Sequence, residues 1–151
     1  MPIIKDQQIA ENTWTFVADD SPLTDGDITV SLDRWNKEKE HLLKHNGKVG
    51  IRLTSSDPNN AISTTDLTSI SLIELDFPVF TDGRLFSHAQ LLRSRDAYKG
   101  EIRAVGNFMT DQVFYLHRVG VNAFEFAEPK DIELALTALK DFSVYYQASI
   151  N

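Results

Sequence analysis

The sequence contains no cysteine among its 151 residues. Without thiols the protein can form neither disulfides nor a thiolate nucleophile, and it cannot hold a cysteine-ligated iron-sulfur cluster or the usual structural zinc. The Gly-rich phosphate-binding patterns, the serine nucleophile elbow and a metal-binding histidine spacing are missing as well. The sequence therefore indicates no metal and no particular cofactor, and redox chemistry would need a borrowed one.

Basic residues are in the minority, with 15 Lys and Arg against 22 Asp and Glu, which gives a net charge of -7. Such a surface repels nucleic acid and anionic lipid, because binding to phosphates needs a basic face. No apolar run approaches the roughly 18 residues of a membrane span, and the start "MPIIKDQQIAENTW" does not resemble a signal peptide. We expect a cytoplasmic protein with no membrane or nucleic-acid partner.

The length of the chain favours one domain, residues 1–151, because a second core would have too little interior. Its 42% hydrophobic and 25% charged residues are typical of soluble globular proteins. Residues 1–30 differ in texture, since "PIIKDQQIAENTWTFVADD" alternates apolar and polar residues before the break at "SPLTDGD". This pattern predicts one or two short strands or a hairpin ahead of the main unit.

A helix is predicted next, in "DRWNKEKEHLLKHNG". Ser31 or Asp33 can cap its N-terminus and Gly47 can end it. The residues near its apolar stripe are Trp35, Lys39, Leu42 and Leu43.

The rest of the chain repeats an apolar run, a polar loop and an amphipathic helix. The predicted strands are "KVGIRLT", "SLIELDF", "GEIRAV" and "AFEFA", and the later helices are "SHAQLLRSRDAY", "TDQVFYLHRVG" and "DIELALTALKDFSVYYQ". Strands joined through helices at this spacing are normally parallel, so we predict an α/β fold with four βα units. The sheet is either half of a (βα)8 barrel or an open, doubly wound sheet, and the pattern leaves both open.

Ligands of parallel α/β folds lie at the carboxyl ends of the strands, on the loops that lead into helices. There Asp82 and Arg84 flank Gly83, a turn whose guanidinium suits sulfate, sulfite, carboxylate or phosphate, although an internal ion pair explains it equally well. Ser87 and Gln90 fit a capping box, and the same helix start would offer amides to an anion.

Two further groups of residues are candidates. Arg103 lies within a strand, where it needs a partner: a ligand, or one of Glu74, Asp76 and Glu101. Asn107, Asp111 and Gln112 open the next helix, where Asp111 also suits the helix dipole.

The segment "FPVFTDGRLFSHAQLLRSRDAYKGEIRAVGNFMTDQVFYLHRVGVNAFEF", with "NTWTFVADD" before it and "DFSVYYQ" after it, resembles a bacterial family of uncharacterised proteins. Genes of that family, a domain of unknown function, tend to lie beside the gene of haem sulfite reductase. The resemblance spans nearly the whole chain and implies a cytoplasmic role in sulfur assimilation. Members are often labelled oxidoreductases of sulfite reduction, a label that implies a pathway rather than a reaction. The family commonly has a cysteine where Val119 stands here, so a thiol mechanism is not required.

Two hypotheses follow, and we favour the first. The protein is an accessory or anion-binding protein that docks on sulfite reductase and holds an oxyanion or partner through Arg84, Arg93 and Arg103, with Ser87, Asn107 and Gln112 beside them. Alternatively it is a small enzyme, such as an oxidoreductase, that acts on an anionic substrate with Asp82 or Asp111 as acid or base. We also expect a homodimer, since a half-barrel or open sheet of this size leaves edges and apolar faces exposed.

Overall fold

A computed structural model describes residues 2–58, 62–77, 84–106, 108, 112–126 and 131–140, with Arg84 described in its backbone alone. These residues form eight strands and five helices. The strands are β1 (Pro2–Lys5), β2 (Gln8–Glu11), β3 (Thr15–Phe16), β4 (Ile28–Ser31), β5 (Val49–Leu53), β6 (Leu72–Phe77), β7 (Glu101–Gly106) and β8 (Ala123–Phe124). The helices are α1 (Leu32–Leu43), α2 (Thr64–Leu67), α3 (Arg84–Ser94), α4 (Val113–Arg118) and α5 (131–140).

All eight strands belong to one sheet in the order β2-β1-β8-β7-β6-β5-β4-β3. From β3 to β8 the neighbours are parallel and follow the order of the chain, while β1 joins β8 and β2 in antiparallel pairs. A doubly wound sheet would reverse its strand order at a switch point, and this one does not. Of the two predicted architectures, the structure has the half-barrel.

The sheet curls strongly because its two edge strands are consecutive in the chain. Only residues 12–14 connect β2 to β3, yet these strands lie at opposite edges. Four Cα steps from Glu11 to Thr15 reach at most about 15 Å. Eight strands spaced about 4.8 Å apart would separate the edges of a flat sheet by about 34 Å. The short connection therefore requires a curved sheet whose two edges lie close together. We call residues 11–16, which join these edges, the strap.

The helices cover one face of the sheet. Successive strand residues point to opposite faces, so Ile51, Ile73 and Ile102 share the helix side. They belong to one buried cluster with Trp35 of α1, together with Leu85, Ala89 and Leu92 of α3 and Leu116 of α4. The opposite side, which we call the inner face, carries the alternate residues. Arg52, Glu74 and Arg103 lie next to one another there in the strand register.

Several sequence predictions hold. The strands that become β5, β6 and β7 were placed within one or two residues, and the N-terminal segment contains the β1–β2 hairpin. Ser31, one of the two predicted caps, accepts a hydrogen bond from the Arg34 amide at 3.1 Å and begins α1.

Other predictions need correction. The four predicted βα units omit β4, which gives the chain five strands followed by helices, and they omit the short helix α2. β4 was missed because Leu32 of α1 directly follows Ser31, so strand and helix read as one apolar stretch. Leu43, predicted near the buried stripe, is 55% exposed, since only Trp35 and Leu42 of that set face the sheet.

Candidate functional site

The carboxyl ends of β5, β6 and β7 lie side by side, because these strands are parallel neighbours. We call this end of the half-barrel, with the loops and helix starts that follow it, the rim. Gly106 ends β7 with a φ of 89°, and a Cβ there would lie 2.7 Å from the Asp76 carboxylate and from the Phe77 carbonyl. Such a close approach admits only glycine, so the sequence fixes how β7 turns away at the rim.

α3 begins at the rim with Arg84. The sequence had placed this residue in the ligand loop that follows β6. Asp82, the candidate acid or base of that loop, lies outside the described residues. Ser87 is exposed in the first turns of α3. Its predicted role as N-cap is wrong, because the helix starts three residues earlier at Arg84. The buried stripe of α3 explains this start, since it already begins before Ser87, at Leu85, and continues through His88, Ala89 and Leu92.

The second part of the rim is the start of α4. Gln112 occupies the N-cap position there and is half-buried. Asn107 and Asp111 were predicted beside it and lie outside the described residues. Ser87 thus lies in the first turns of α3, and Gln112 lies at the start of α4.

The loop after β5 is held by hydrogen bonds within the loop and by a contact with α3. The Asp57 carboxylate accepts from the Thr54 amide at 2.8 Å, and the His88 Nε2 lies 2.9 Å from the Asp57 carbonyl oxygen. These bonds tie the loop to α3. Among the described residues, no group of three or more His, Asp or Glu side chains is placed to hold a metal ion.

Arg93 lies at the far end of α3 from the rim. Its Nε donates to the Gly120 carbonyl at 2.9 Å, and its Nη1 donates to the carbonyls of Tyr98 and Gly100 at 2.7 and 2.8 Å. Burial lowers the pKa of the guanidinium. Through these three hydrogen bonds Arg93 connects α3 to the start of β7 and to the end of α4. We call this set of contacts the Arg93 clamp.

Arg103 lies on the inner face and is only 1% exposed. Its Nε and Nη2 donate to the same oxygen of Glu101 at 2.9 and 2.6 Å, and its Nη1 donates to the Asn12 Oδ1 at 2.9 Å. The other Glu101 oxygen pairs with Lys5 at 3.1 Å. Of the partners considered from the sequence, Glu101 is the one hydrogen-bonded to Arg103. Asn12, from the strap, could not be predicted because it is distant in sequence.

Two further charges of the inner face, Arg52 and Glu74, form a pair. Arg52 Nε donates to the Glu74 carboxylate at 3.0 Å, and its guanidinium lies 4.0 Å from the centre of the Phe16 ring. Phe16, like Asn12, comes from the strap. The three arginines that the sequence grouped into one ligand site therefore lie in three places: Arg84 at the rim, Arg93 at the opposite end of α3 and Arg103 inside the curl.

A groove that the sequence analysis did not find runs between α3 and α4. It has a volume of about 550 Å³. Its described lining consists of Phe86, Gln90, Gln112, Tyr115, Arg118 and Val119. The signal in the sequence was Tyr115, a large aromatic residue off the buried stripe of α4, which is 59% exposed. We call this feature the α3–α4 groove.

Residues 50–151 of the chain match the family described as "Bacterial protein of unknown function (DUF934)". This chain belongs to that family. The match confirms the resemblance to an uncharacterised bacterial family. The DUF934 region holds every candidate site residue, whereas the strap and its side chains Asn12 and Phe16 precede it.

Comparison of this DUF934 chain with curated proteins and with solved structures finds no match. Within the part of the chain that the structure describes, none of the helices is long and apolar enough to cross a membrane.

Proposed function

We propose that this protein is a cytoplasmic accessory protein of sulfur assimilation, which acts together with sulfite reductase and binds a small oxyanion at the rim. The family resemblance supports the pathway, because the related genes tend to lie beside that of haem sulfite reductase. The geometry supports the site.

The observation that carries the anion site is the start of α3 at Arg84. This helix has 11 residues, and its first turn contains no acidic side chain. The amides at a helix N-terminus are not bonded within the helix, and the helix dipole favours negative charge there. An arginine at this position adds a guanidinium whose flat fork matches two oxygens of sulfite, sulfate or phosphate.

The other two predicted arginines have different roles in this proposal. Arg93 clamps three backbone carbonyls, and Arg103 is buried against Glu101 and Asn12. Their contacts stabilise the half-barrel that presents the rim. The ligand is held by Arg84 with the helix starts that carry Ser87 and Gln112.

A thermal melt with added anion tests this site. Sulfite, sulfate or phosphate should raise the melting temperature above that in chloride of equal ionic strength. A ligand at a hundredfold excess over its Kd stabilises the native state by about 2.7 kcal/mol. Arg84→Ala should abolish the shift with little change in the melting temperature without ligand.

The matched control is Arg95→Ala, which removes an exposed arginine just beyond the other end of α3. This variant should keep the full shift. An Arg84→Ala protein that responds to anion like the wild type would place the site elsewhere. A wild-type protein that shows no anion-specific shift would refute the oxyanion site.

A further inference from the structure

The outer surface of α4 exposes an aromatic side chain beside an open cleft. Tyr115 is 59% exposed, and the α3–α4 groove next to it has a volume of about 550 Å³. Pockets that bind ligands and side chains of partners commonly measure about 300 to 1,000 Å³. Arg118 is the only charged residue among the described residues that line the groove. The described lining therefore combines aromatic and apolar side chains with two glutamines and one arginine.

The outer surface of α5 has the complementary character. Ile132, Ala135 and Leu139 face the core, while Leu134 points outward and is 62% exposed. Glu133, its neighbour, is exposed as well. The exposed side of α5 thus presents one large apolar side chain next to a carboxylate, and the groove presents aromatic and apolar side chains next to a guanidinium.

We propose that a second copy of this chain docks here, with the outward face of α5 seated in the α3–α4 groove of its partner. Leu134 fills the apolar groove beside Tyr115, and Glu133 pairs with Arg118 across the interface. This is a helix-in-groove contact in which an apolar anchor supplies burial and a charge pair sets the register.

The order of the elements allows the contact to be made twice. β7 and β8 are neighbours in the sheet, so α4 and α5, which follow them, lie in the same helical layer. An isologous dimer needs both halves of the contact on the same chain, and each chain here carries both the groove and α5.

Charge supports a second copy as the occupant. Two molecules that each carry a net charge of -7 repel one another, and opposite charges at the contact itself would offset part of that repulsion. The groove presents a cation and α5 presents an anion on the same chain. The groove borders the oxyanion site, since Gln112 belongs to both, but the charge pair of the interface, Arg118 with Glu133, does not include Arg84.

Sedimentation velocity of the full-length chain at micromolar concentration tests the dimer. The wild type should sediment as a dimer. Arg118→Glu and Glu133→Arg should each weaken it by about tenfold to a hundredfold in Kd, because each variant places like charges together at both contacts.

Two restorations make the test specific. The double variant Arg118→Glu/Glu133→Arg should dimerise again, because every contact regains opposite charges. An equimolar mixture of the two single variants should also form a dimer, since each groove then meets an α5 of opposite charge. Leu43→Glu is the control, because it changes an exposed leucine of α1, away from the proposed contact. A monomeric wild type, a dimer unaffected by the single reversals, or failure of both restorations would overturn the proposal.

Discussion

Four charged residues of the inner face form two ion pairs, Arg103 with Glu101 and Arg52 with Glu74, and Arg103 is the most deeply buried of them. Replacing one member of such a pair leaves the other without its partner, which costs about 3 to 5 kcal/mol. Arg103→Met should therefore lower the free energy of unfolding by about 3 kcal/mol, measured in urea, since Lys5 would be the one ion-pair partner left to Glu101 among the described residues. The comparison is the pair of Arg95 and Asp96, whose guanidinium is exposed, and Arg95→Met should change stability by less than about 1 kcal/mol.

A second substitution separates pairing from packing. Glu101→Leu together with Arg103→Met removes both charges, and an apolar pair of similar volume is often as stable as a buried ion pair. The double variant should recover at least half of the stability lost by Arg103→Met. If Arg103→Met alone unfolds at the wild-type urea concentration, the inner-face pair does not stabilise the fold.

Tyr98 gives a prediction for alkaline pH. It is buried, and its hydroxyl donates to the Ile70 carbonyl at 3.0 Å. Burial raises the pKa of its phenol above the ordinary value, which is near 10. In the unfolded chain Tyr98 ionises near pH 10, while in the folded protein it stays neutral. Its contribution to stability is thus fully present below about pH 10 and is lost as the pH rises further.

Phenolate absorbance measured together with circular dichroism checks this. The chain has four tyrosines, and Tyr98 should ionise only as the protein unfolds. Tyr98→Phe should reduce the alkaline loss of stability while costing about 1 kcal/mol at neutral pH through the missing hydrogen bond. Ionisation of all four tyrosines before any unfolding would contradict the buried phenol.

At the scale of elements, the turn after α4 depends on a glycine. Gly120 has a φ of 111°, and a Cβ there would overlap the Arg93 side chain. Gly120→Ala should therefore combine backbone strain of about 1 to 3 kcal/mol with a steric term of similar size. Gly26→Ala measures the backbone strain alone, because the φ of Gly26 is 93° and nothing lies within 4 Å of a Cβ added there.

Urea unfolding of the two variants gives the comparison. Gly120→Ala should lose more stability than Gly26→Ala, because it also displaces the clamp that Arg93 makes on three carbonyls. Equal losses would show that the clamp contributes little to the α3–α4 packing.

A feature could be predicted from the sequence when the residues that form it lie close together in the chain, and could not when they lie far apart. β5, β6 and β7 are recognisable because a continuous apolar run between polar loops is typical of a strand buried by helices. The start of α3 differs from the prediction because the apolar stripe that begins at Leu85 extends the helix past the capping pattern at Ser87. The rim could be predicted from the strand order, since parallel strands end at the same edge. The contact of Asn12 with Arg103 joins residues 91 positions apart, and no local pattern encodes such pairing.

At the scale of the whole molecule, the strap and β1 connect the N-terminal segment to the half-barrel. Asn12 and Phe16 contact inner-face arginines, and β1 pairs with β8. Unfolding in denaturant should therefore be a single cooperative step, as in most single domains of this size. Fluorescence reports on two parts, since Trp14 lies in the strap and Trp35 in the core.

Trp14→Phe leaves Trp35 as the only fluorescent tryptophan and serves as the matched reporter. Its transition should coincide with that seen by circular dichroism, and the wild-type fluorescence should show no earlier step. A first transition present in the wild type and missing in Trp14→Phe would mean that the strap unfolds separately from the half-barrel.

The most direct test of the proposed function is the rate of sulfite reduction by purified sulfite reductase, measured with and without this protein. An accessory protein should change that rate in a saturable way. Arg84→Ala should lose much of the effect, whereas Arg95→Ala should keep it. A rate that stays the same at saturating concentrations of the wild-type protein would contradict an accessory role in sulfite reduction.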